Sequence, residues 1–591
     1  MNEERVTHFA QTDARNRQVT FGIKAKDRTK HIYVIGKTGM GKSTLLENMA
    51  VQDIKNGEGM AFIDPHGKTA DLLLDYIPPE RINDVIYFAP FDTDHPISFN
   101  VLESVDPDKR HLVVAGLMST FKKIWKDAWS ARMEYILTNT LLALLEYPEA
   151  TLLGVNRMLS DKKFREKVIA CVTDPAVRSF WVEEFANYTE RMAAEAVPAI
   201  QNKIGQFTAN ALIRNMIGQP RSSFNIREAM DERKIMIINL SKGKIGETNA
   251  NLLGGMLITK IYLSALSRAD LPDRVLKGMS NFYLYVDEFQ SFANESFADI
   301  LSEARKYKLN LTIAHQYIEQ MEEEVRAAVF GNVGTMIVFR VGAFDAEVLE
   351  KEFAPQFTAE DIVNLGFAQI YLKLMIDGVS SAPFSATTLP PIPQPPTTHA
   401  NEVLVASRKQ FAHPRKEVED AIAHWMEPIP APPKMPKTNP APLPTNQPRP
   451  TAPTEAKTPA PKPQTPTPAP THQPFKTAIA SLITPPPSQP EQQKPVSLSS
   501  LTPKPQQKIA SKEATPERVN ELRNALASVL GDAKRDVKPV PREEKKPEKP
   551  TPPTPQPQIP KPPHQQPQPK PVSTETQEVS EDVLKSVLKV E

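Results

Sequence analysis

The sequence predicts an α/β fold: a parallel sheet with helices on both faces, interrupted by an all-α insertion and followed by a long proline-rich tail. Three observations carry that reading. Short β-branched and aromatic runs alternate with amphipathic segments before residue 105 and again after residue 231, as strands of a parallel sheet alternate with their covering helices. Between those stretches the apolar residues recur only at helical spacing. Finally, 14 of the 59 prolines precede Pro391 and the other 45 lie from there on, where Gly531 is the only glycine and, beyond Trp425, Phe475 the only aromatic residue.

Taken in order, His31 to Ile35 is a buried strand and Ser43 to Ile54, with Leu45, Leu46 and Met49, an amphipathic helix. A second strand ends in Met60 to Asp64, turns at Pro65-His66-Gly67, and leads through a helix at Leu72 to Tyr76 into a strand at Val85 to Phe88. From Asp106 to Arg227 the period is helical, with Leu137, Leu141 and Leu145 on one stripe. Strand-like runs resume at Ile235 to Asn239, Phe282 to Val286, Leu311 to Ala314, Met336 to Phe339 and Ile370 to Leu374, completing the same sheet.

The expected division is therefore 1–105 and 231–390 for the two parts of the α/β domain and 106–230 for the insertion. A partly helical extension over 391–430, carrying Trp425, and a tail over 431–591 follow. The tail cannot bury a core, and its Pro-Gln-Thr-Lys stretches favour extended polyproline II spacers. Two amphipathic stretches in it, 517–530 and 579–588, are near or below the length at which a lone helix holds in water, which suits them to docking on a partner.

The chemistry is concentrated at strand ends. Gly36-Lys37-Thr38-Gly39-Met40-Gly41-Lys42-Ser43, with Thr44 behind it, joins the first strand to the first helix. Glycines there let backbone N–H groups turn around phosphates, and the helix N-terminus adds its positive dipole end. A lysine at position 42 reaches the terminal phosphates, and a serine at 43 ligates magnesium. ATP and Mg2+ are the expected cofactors. The strand Phe282 to Val286 runs into Asp287-Glu288, where the first acid suits the magnesium shell and the second a general base for the attacking water. Asp64, also at a strand end and followed by His66, competes for the base role. Gln316 follows another strand tip at His315 and either senses the terminal phosphate or caps the next helix. Arg305 lies at a helix end, as a finger for a neighbouring subunit's phosphate or as a solvated cation.

Composition narrows the class. Net charge is +1, so any nucleic-acid surface must be local, as at Lys122-Lys123 or Arg305-Lys306. Cys171 is the sole cysteine, which excludes an intramolecular disulfide and a multi-cysteine zinc site. No uncharged apolar run reaches about 18 residues and the first residues lack a signal segment, so a soluble cytoplasmic chain with no transmembrane segment is expected. A guanine-reading Asn-Lys-x-Asp is absent, which sets aside a GTPase switch.

The phosphate loop, Ile63 to Gly67, Tyr285 to Phe289, Ala304 to Tyr307, His315-Gln316, Gly331 to Thr335 and Phe339-Arg340 occur in the order of the FtsK/HerA-type motor ATPases. The chain most resembles the type IV secretion and conjugation coupling-protein branch, from about Phe21 to Leu389. That resemblance implies a RecA-like P-loop NTPase with an all-α domain between its two acidic motifs, assembled as a homo-oligomeric hexamer that moves DNA with ATP. By position it makes Lys42 and Ser43 nucleotide and magnesium ligands, Asp287 and Glu288 the acidic pair, Gln316 the sensor and Arg305 the finger acting in trans. The family's N-terminal membrane anchor has no counterpart here, so recruitment to the membrane is expected through a secretion-machinery or membrane partner, reached by the C-terminal tail. Two other functions compete: an ATPase acting on secreted or pilus proteins, and an ATP-gated scaffold.

Overall fold

The computed structural model describes residues 3–13, 17–103 and 105–427. The proline-rich tail and its stretches 517–530 and 579–588 lie outside the described residues. The strands are β1 (Val6–Gln11), β2 (Thr20–Lys24), β3 (Ile32–Ile35), β4 (Gly59–Asp64), β5 (Val85–Phe88), β6 (Ile235–Asn239), β7 (Phe282–Val286), β8 (Leu309–His315), β9 (Thr335–Val338), β10 (Gln369–Lys373), β11 (Met375–Ile376), β12 (Val379–Ser380) and β13 (Phe384–Thr388). Apart from the small β11–β12 hairpin, they form one sheet in the order β2-β1-β13-β10-β9-β3-β8-β7-β4-β6-β5.

The seven strands from β9 to β5 are parallel. The four beyond β9 are antiparallel, so the sheet is mixed rather than purely parallel. Central strands read as unbroken apolar runs because both faces are covered. Alternate residues divide between two cores. Ile32, Val34, Met60, Phe62, Tyr283 and Tyr285 face the helices α1 (Lys42–Lys55) and α2 (Lys68–Asp75). Tyr33, Ile35, Ala61, Ile63, Leu284 and Val286 share the other core with the apolar residues of the segment between β5 and β6.

Among the described residues the regular elements of that segment are all helical, the first long one being α3 (Arg110–Ile124), after an irregular stretch that makes one β-bridge, Ile97 to Ala412. The α3 helix crosses the helix Glu247–Leu266 closely. A Cβ on Gly116 would sit 2.3 Å from Thr259 Cγ2, and one on Gly255 would sit 2.8 Å from Thr120 Cγ2. The Glu247–Asp270 stretch is long and apolar enough to cross a bilayer, yet 61% of its most apolar window is buried inside the protein. Leu252, Leu253, Met256, Leu257 and Ile261 spend its apolar surface on the core.

A buried ion pair ties the turn between β2 and β3 to α1 and β7. Arg28 donates to both Asp53 carboxylate oxygens at 2.7 and 2.9 Å and to the Tyr285 hydroxyl at 2.7 Å. At the other end, the helices Ala400–Phe411 and Arg415–Met426 return to the body. The Tyr87 N–H donates to Ser407 Oγ at 2.9 Å, Arg408 pairs with Asp92 at 2.7 Å, and Val418 and Ile422 bury against Leu153.

This packing separates two truncations. A chain ending at Glu427 keeps its melting transition, because the removed sequence has almost no aromatic residues to bury. A chain ending at Thr397 melts at least ~5 °C lower, since Val403, Val418 and Ile422 each lose about 1.5–3 kcal/mol of burial. Calorimetry on both chains checks the contrast.

Candidate nucleotide site

Every strand next to β3 ends at the same edge of the sheet, and the loop Gly36–Gly41 leaves β3 at that edge. Ile35 pairs with His315 at the end of β8, and Val286 with Ile313. The loop's turn needs its glycines. A Cβ on Gly36 would sit 2.5 Å from Phe339 Cβ, and Gly41, which caps α1, has φ +113°. Two backbone bonds hang the loop from neighbouring strands: Gly36 N–H donates to His315 O at 3.2 Å and Lys37 N–H to Arg340 O at 2.8 Å.

Lys42 is buried and folds back over the loop, donating to Gly36 O at 2.5 Å and Lys37 O at 3.2 Å. Burial pushes its ammonium below the usual lysine range, opposed by the nearby Glu288 and Asp287 carboxylates. Ser43 Oγ donates to Asp287 Oδ2 at 3.2 Å. Two hard oxygen donors from opposite sides of the cleft thus meet at one point. Among the described residues no group of three or more histidine, cysteine, aspartate or glutamate side chains forms a metal cage. This donor set fits Mg2+, which keeps several waters and takes one or two protein oxygens beside phosphates. Burial, then Glu288 and Asp64, push the Asp287 carboxyl up to about 6.

Glu288 is the most constrained residue of the site. It is non-glycine yet sits in the left-handed region at φ 48°, ψ 50°, a conformation that costs about 1–3 kcal/mol and persists where surroundings enforce it. Its N–H donates to Asp287 Oδ1 at 2.9 Å, Gln290 Nε2 donates to its Oε2 at 2.5 Å, and Gln316 Nε2 donates to its Oε1. Gln316 in turn accepts from Thr38 Oγ1 at 2.9 Å. One amide therefore bridges the phosphate loop and the carboxylate. His66 Nε2 stands 3.8 Å from Glu288 Oε1, from the turn after β4. His315 lies beneath. Burial, then Lys42 and Lys123, lower its imidazole to about 3 and keep it neutral, with Nδ1 3.2 Å from the Tyr33 hydroxyl and Nε2 without a partner.

Asp64 is differently engaged. Its Oδ1 accepts from His66 N–H at 2.8 Å and its Oδ2 from Ala70 N–H at 2.9 Å, so both oxygens cap the turn into α2. Arg305 stands apart: it is exposed on the turn Ala304–Tyr307 that enters β8, whereas Gln316 follows the strand's exit. Six residue steps of strand, about 20 Å, lie between those ends. Within one chain Arg305 does not join the site. Lys122 pairs with Glu295 at 2.9 Å, Lys123 is half-buried against the backbone carbonyls of Gln290 and Ala293, and Lys306 pairs with Glu303 at 2.7 Å. Gln290 and Lys123 are site residues that sequence reasoning missed. The amide two positions after Glu288 was a weak signal, and the lysine had none.

Residues 18–367 match the family model of the type IV secretion-system coupling protein DNA-binding domain. The chain belongs to this coupling-protein family. The matched span contains the phosphate loop, the helical insertion, the acidic pair and Gln316. No curated protein matches the chain in sequence. Among solved structures, an unbound bacterial conjugative coupling protein TrwBdeltaN70 is 15% identical, with 67% of this chain and 97% of that one covered, at a TM-score of 0.48. Plasmid coupling protein TrwB in complex with ADP and Mg2+ is 16% identical, with coverages of 67% and 98% and a TM-score of 0.49. VirB4 of Thermoanaerobacter pseudethanolicus is 14% identical, with coverages of 65% and 96% and a TM-score of 0.45.

The different engagement of the two strand-end acids predicts different losses. Glu288→Gln retains ATP binding and slows turnover at least ~100-fold, the scale of a lost general base. Asp64→Asn keeps turnover within a few fold but lowers stability by about 1–3 kcal/mol, through the weakened cap on two backbone N–H groups. Steady-state turnover with parallel denaturant melts checks both.

Proposed function

We propose that this coupling-family protein is an ATP-hydrolysing motor that assembles as a ring, six subunits by family resemblance, and moves DNA. The observation that carries the ATPase part is the Glu288 carboxylate held between the Gln290 and Gln316 amides, above a phosphate loop whose Ser43 meets Asp287. In this reading the loop N–H groups and Lys42 bind the phosphates of ATP, Lys42 exchanging two loop carbonyls for phosphate oxygens. Ser43 and Asp287 hold Mg2+, which supplies positive charge against the phosphates. Glu288 orients the attacking water and takes its proton, and Gln316 reports the state of the phosphate loop, through Thr38, to that carboxylate.

The exposure of Arg305 on the turn before β8, away from its own chain's phosphate loop, supports the assignment of this residue as a finger in trans. The DNA assignment rests on the family. Contact with phosphates would make binding fall steeply with salt and depend little on sequence. A second reading, protein substrates, is favoured by the pairing of Lys122, Lys123 and Lys306 within the protein, which leaves fewer free cations than the sequence suggested. Work at the cytoplasmic face of a membrane, through a secretion-machinery partner, completes the proposal.

At low salt, single-stranded or duplex DNA stimulates ATP turnover by the assembled ring and drives displacement of a roadblock. Mixtures of the inactive Arg305→Ala and Glu288→Gln subunits recover measurable activity, since each supplies what the other lacks. Absence of stimulation by both DNA forms in an ATP-competent ring transfers the reading to protein substrates, and dead mixtures that co-assemble remove Arg305 from the site.

A further inference from the structure

The loop that carries Glu288 is gripped from the helical insertion. Three successive contacts run from the end of α3 to residues 290–295. Asn294 Nδ2 donates to Thr120 Oγ1 at 3.3 Å, Lys122 Nζ to Glu295 Oε1 at 2.9 Å, and Lys123 Nζ to Gln290 O at 2.6 Å and to Ala293 O. From Gln290 the side chain continues the line, its Nε2 reaching Glu288 Oε2 at 2.5 Å while its Oε1 is buried without a partner. The chain of bonds therefore passes from the insertion through Lys123, Gln290, Glu288 and Gln316 to Thr38 of the phosphate loop.

Both ends of this grip are closely packed. Thr120 packs against Gly255 of the core helix Glu247–Leu266, and the adjacent Gly254 leaves room for Phe292 of the loop: a Cβ there would sit 2.2 Å from the Phe292 ring. Thr120 and Phe292 thus seat α3 and the loop side by side on one helix, which fixes the spacing between Lys123 and Gln290. We propose that Lys123 is a positioning residue for Glu288, through which the helical insertion sets the rate of ATP hydrolysis. The proposal rests on the reading of Glu288 as the general base.

The chemistry of the contact suits that role. A half-buried ammonium bonded to backbone carbonyls fixes the path of the loop rather than competing for the carboxylate itself. Burial pushes Lys123 down to about 8, with Glu322 opposing and Lys126 reinforcing the shift, and in its charged form its bonds to the carbonyls are charge-assisted. The cavity of about 610 Å³ beside it is lined by charges of both signs, Lys122 and Lys126 as well as Glu295, Glu322, Glu323 and Glu324. The exposed Lys122–Glu295 pair on the same helix is the kind of surface contact that contributes little.

The experiment measures ATP turnover and ATP affinity for the full chain with Lys123→Met, Lys123→Arg, Lys122→Ala, Gln290→Ala, Glu288→Gln and the double variant Lys123→Met with Glu288→Gln. Lys123→Met and Gln290→Ala should each lower kcat about 10-fold to 100-fold with ATP affinity within about twofold, the signature of a misplaced group rather than a lost binding contact. Lys123→Arg should restore most of kcat, and Lys122→Ala should stay near the parent. In the Glu288→Gln background, Lys123→Met should have no further effect, because both act through one carboxylate. Near-normal kcat in Lys123→Met, or a full additional loss in the double variant, overturns the positioning role. If Lys123→Met does not fold, Gln290→Ala, which breaks the same line at a half-buried side chain, decides alone: unchanged kcat overturns the proposal. Normal turnover in Glu288→Gln sinks the general-base reading and the proposal with it, whereas a slow Glu288→Gln beside a normal Lys123→Met sinks the proposal only.

Discussion

The parallel register of β3, β8 and β7 is the constraint on which the site depends. Ile35 lies level with His315, and Val286 level with Ile313, so three strands release their chains at one edge within hydrogen-bonding reach of each other. That alignment is why the Gly36 N–H finds His315 O, Asp287 N–H finds Ile63 O and Lys37 N–H finds Arg340 O. None of these bonds involves a side chain. The side chains of the candidate site are aimed by a backbone lattice whose two faces are each buried under helices, and a lattice buried on both faces has little freedom to drift.

Upon that lattice the polar residues divide the labour by what already satisfies them. Asp64 and Asp287 both end central strands, but two backbone N–H groups occupy Asp64, whereas Asp287 meets Ser43 and its own neighbour's N–H. Glu288 accepts from two side-chain amides that belong to different loops, and its left-handed backbone turns the carboxylate toward the phosphate loop instead of along the strand. The insertion meets this arrangement at residues 290–295, through one end of α3.

Much of this was legible in the sequence, for identifiable reasons. The central strands β3 to β9 read as apolar runs because both of their faces are covered, and the phosphate loop and Asp287-Glu288 stand out because a strand end followed by glycines or acids has few other uses. The antiparallel edge was not legible. Strands β1, β2 and β13 carry Thr, His, Gln and Ser at half-exposed positions, and their pairing joins the first residues of the domain to the last, a contact no local pattern encodes. The same limit applies at the site. Lys122-Lys123 looks like a basic surface cluster until the fold brings Gln290 and Ala293 over it, from 167 and 170 positions away. Likewise, Gln316 was expected at the phosphate from its strand-end position, but its bond to Glu288 and its link to Thr38 could emerge only from the register of β8 against β3 and β7.

The central claim is that this strand edge binds and hydrolyses ATP with magnesium between Ser43 and Asp287. The most direct measurement is a structure of the Glu288→Gln protein trapped with ATP and Mg2+. The account predicts Lys42 Nζ transferred from the Gly36 and Lys37 carbonyls to phosphate oxygens, Mg2+ against Ser43 Oγ and on the Asp287 side of the cleft, and the side chain at position 288 facing the terminal phosphate. Nucleotide bound elsewhere, or bound here with Lys42 still on the loop carbonyls and the metal away from Ser43 and Asp287, would contradict it.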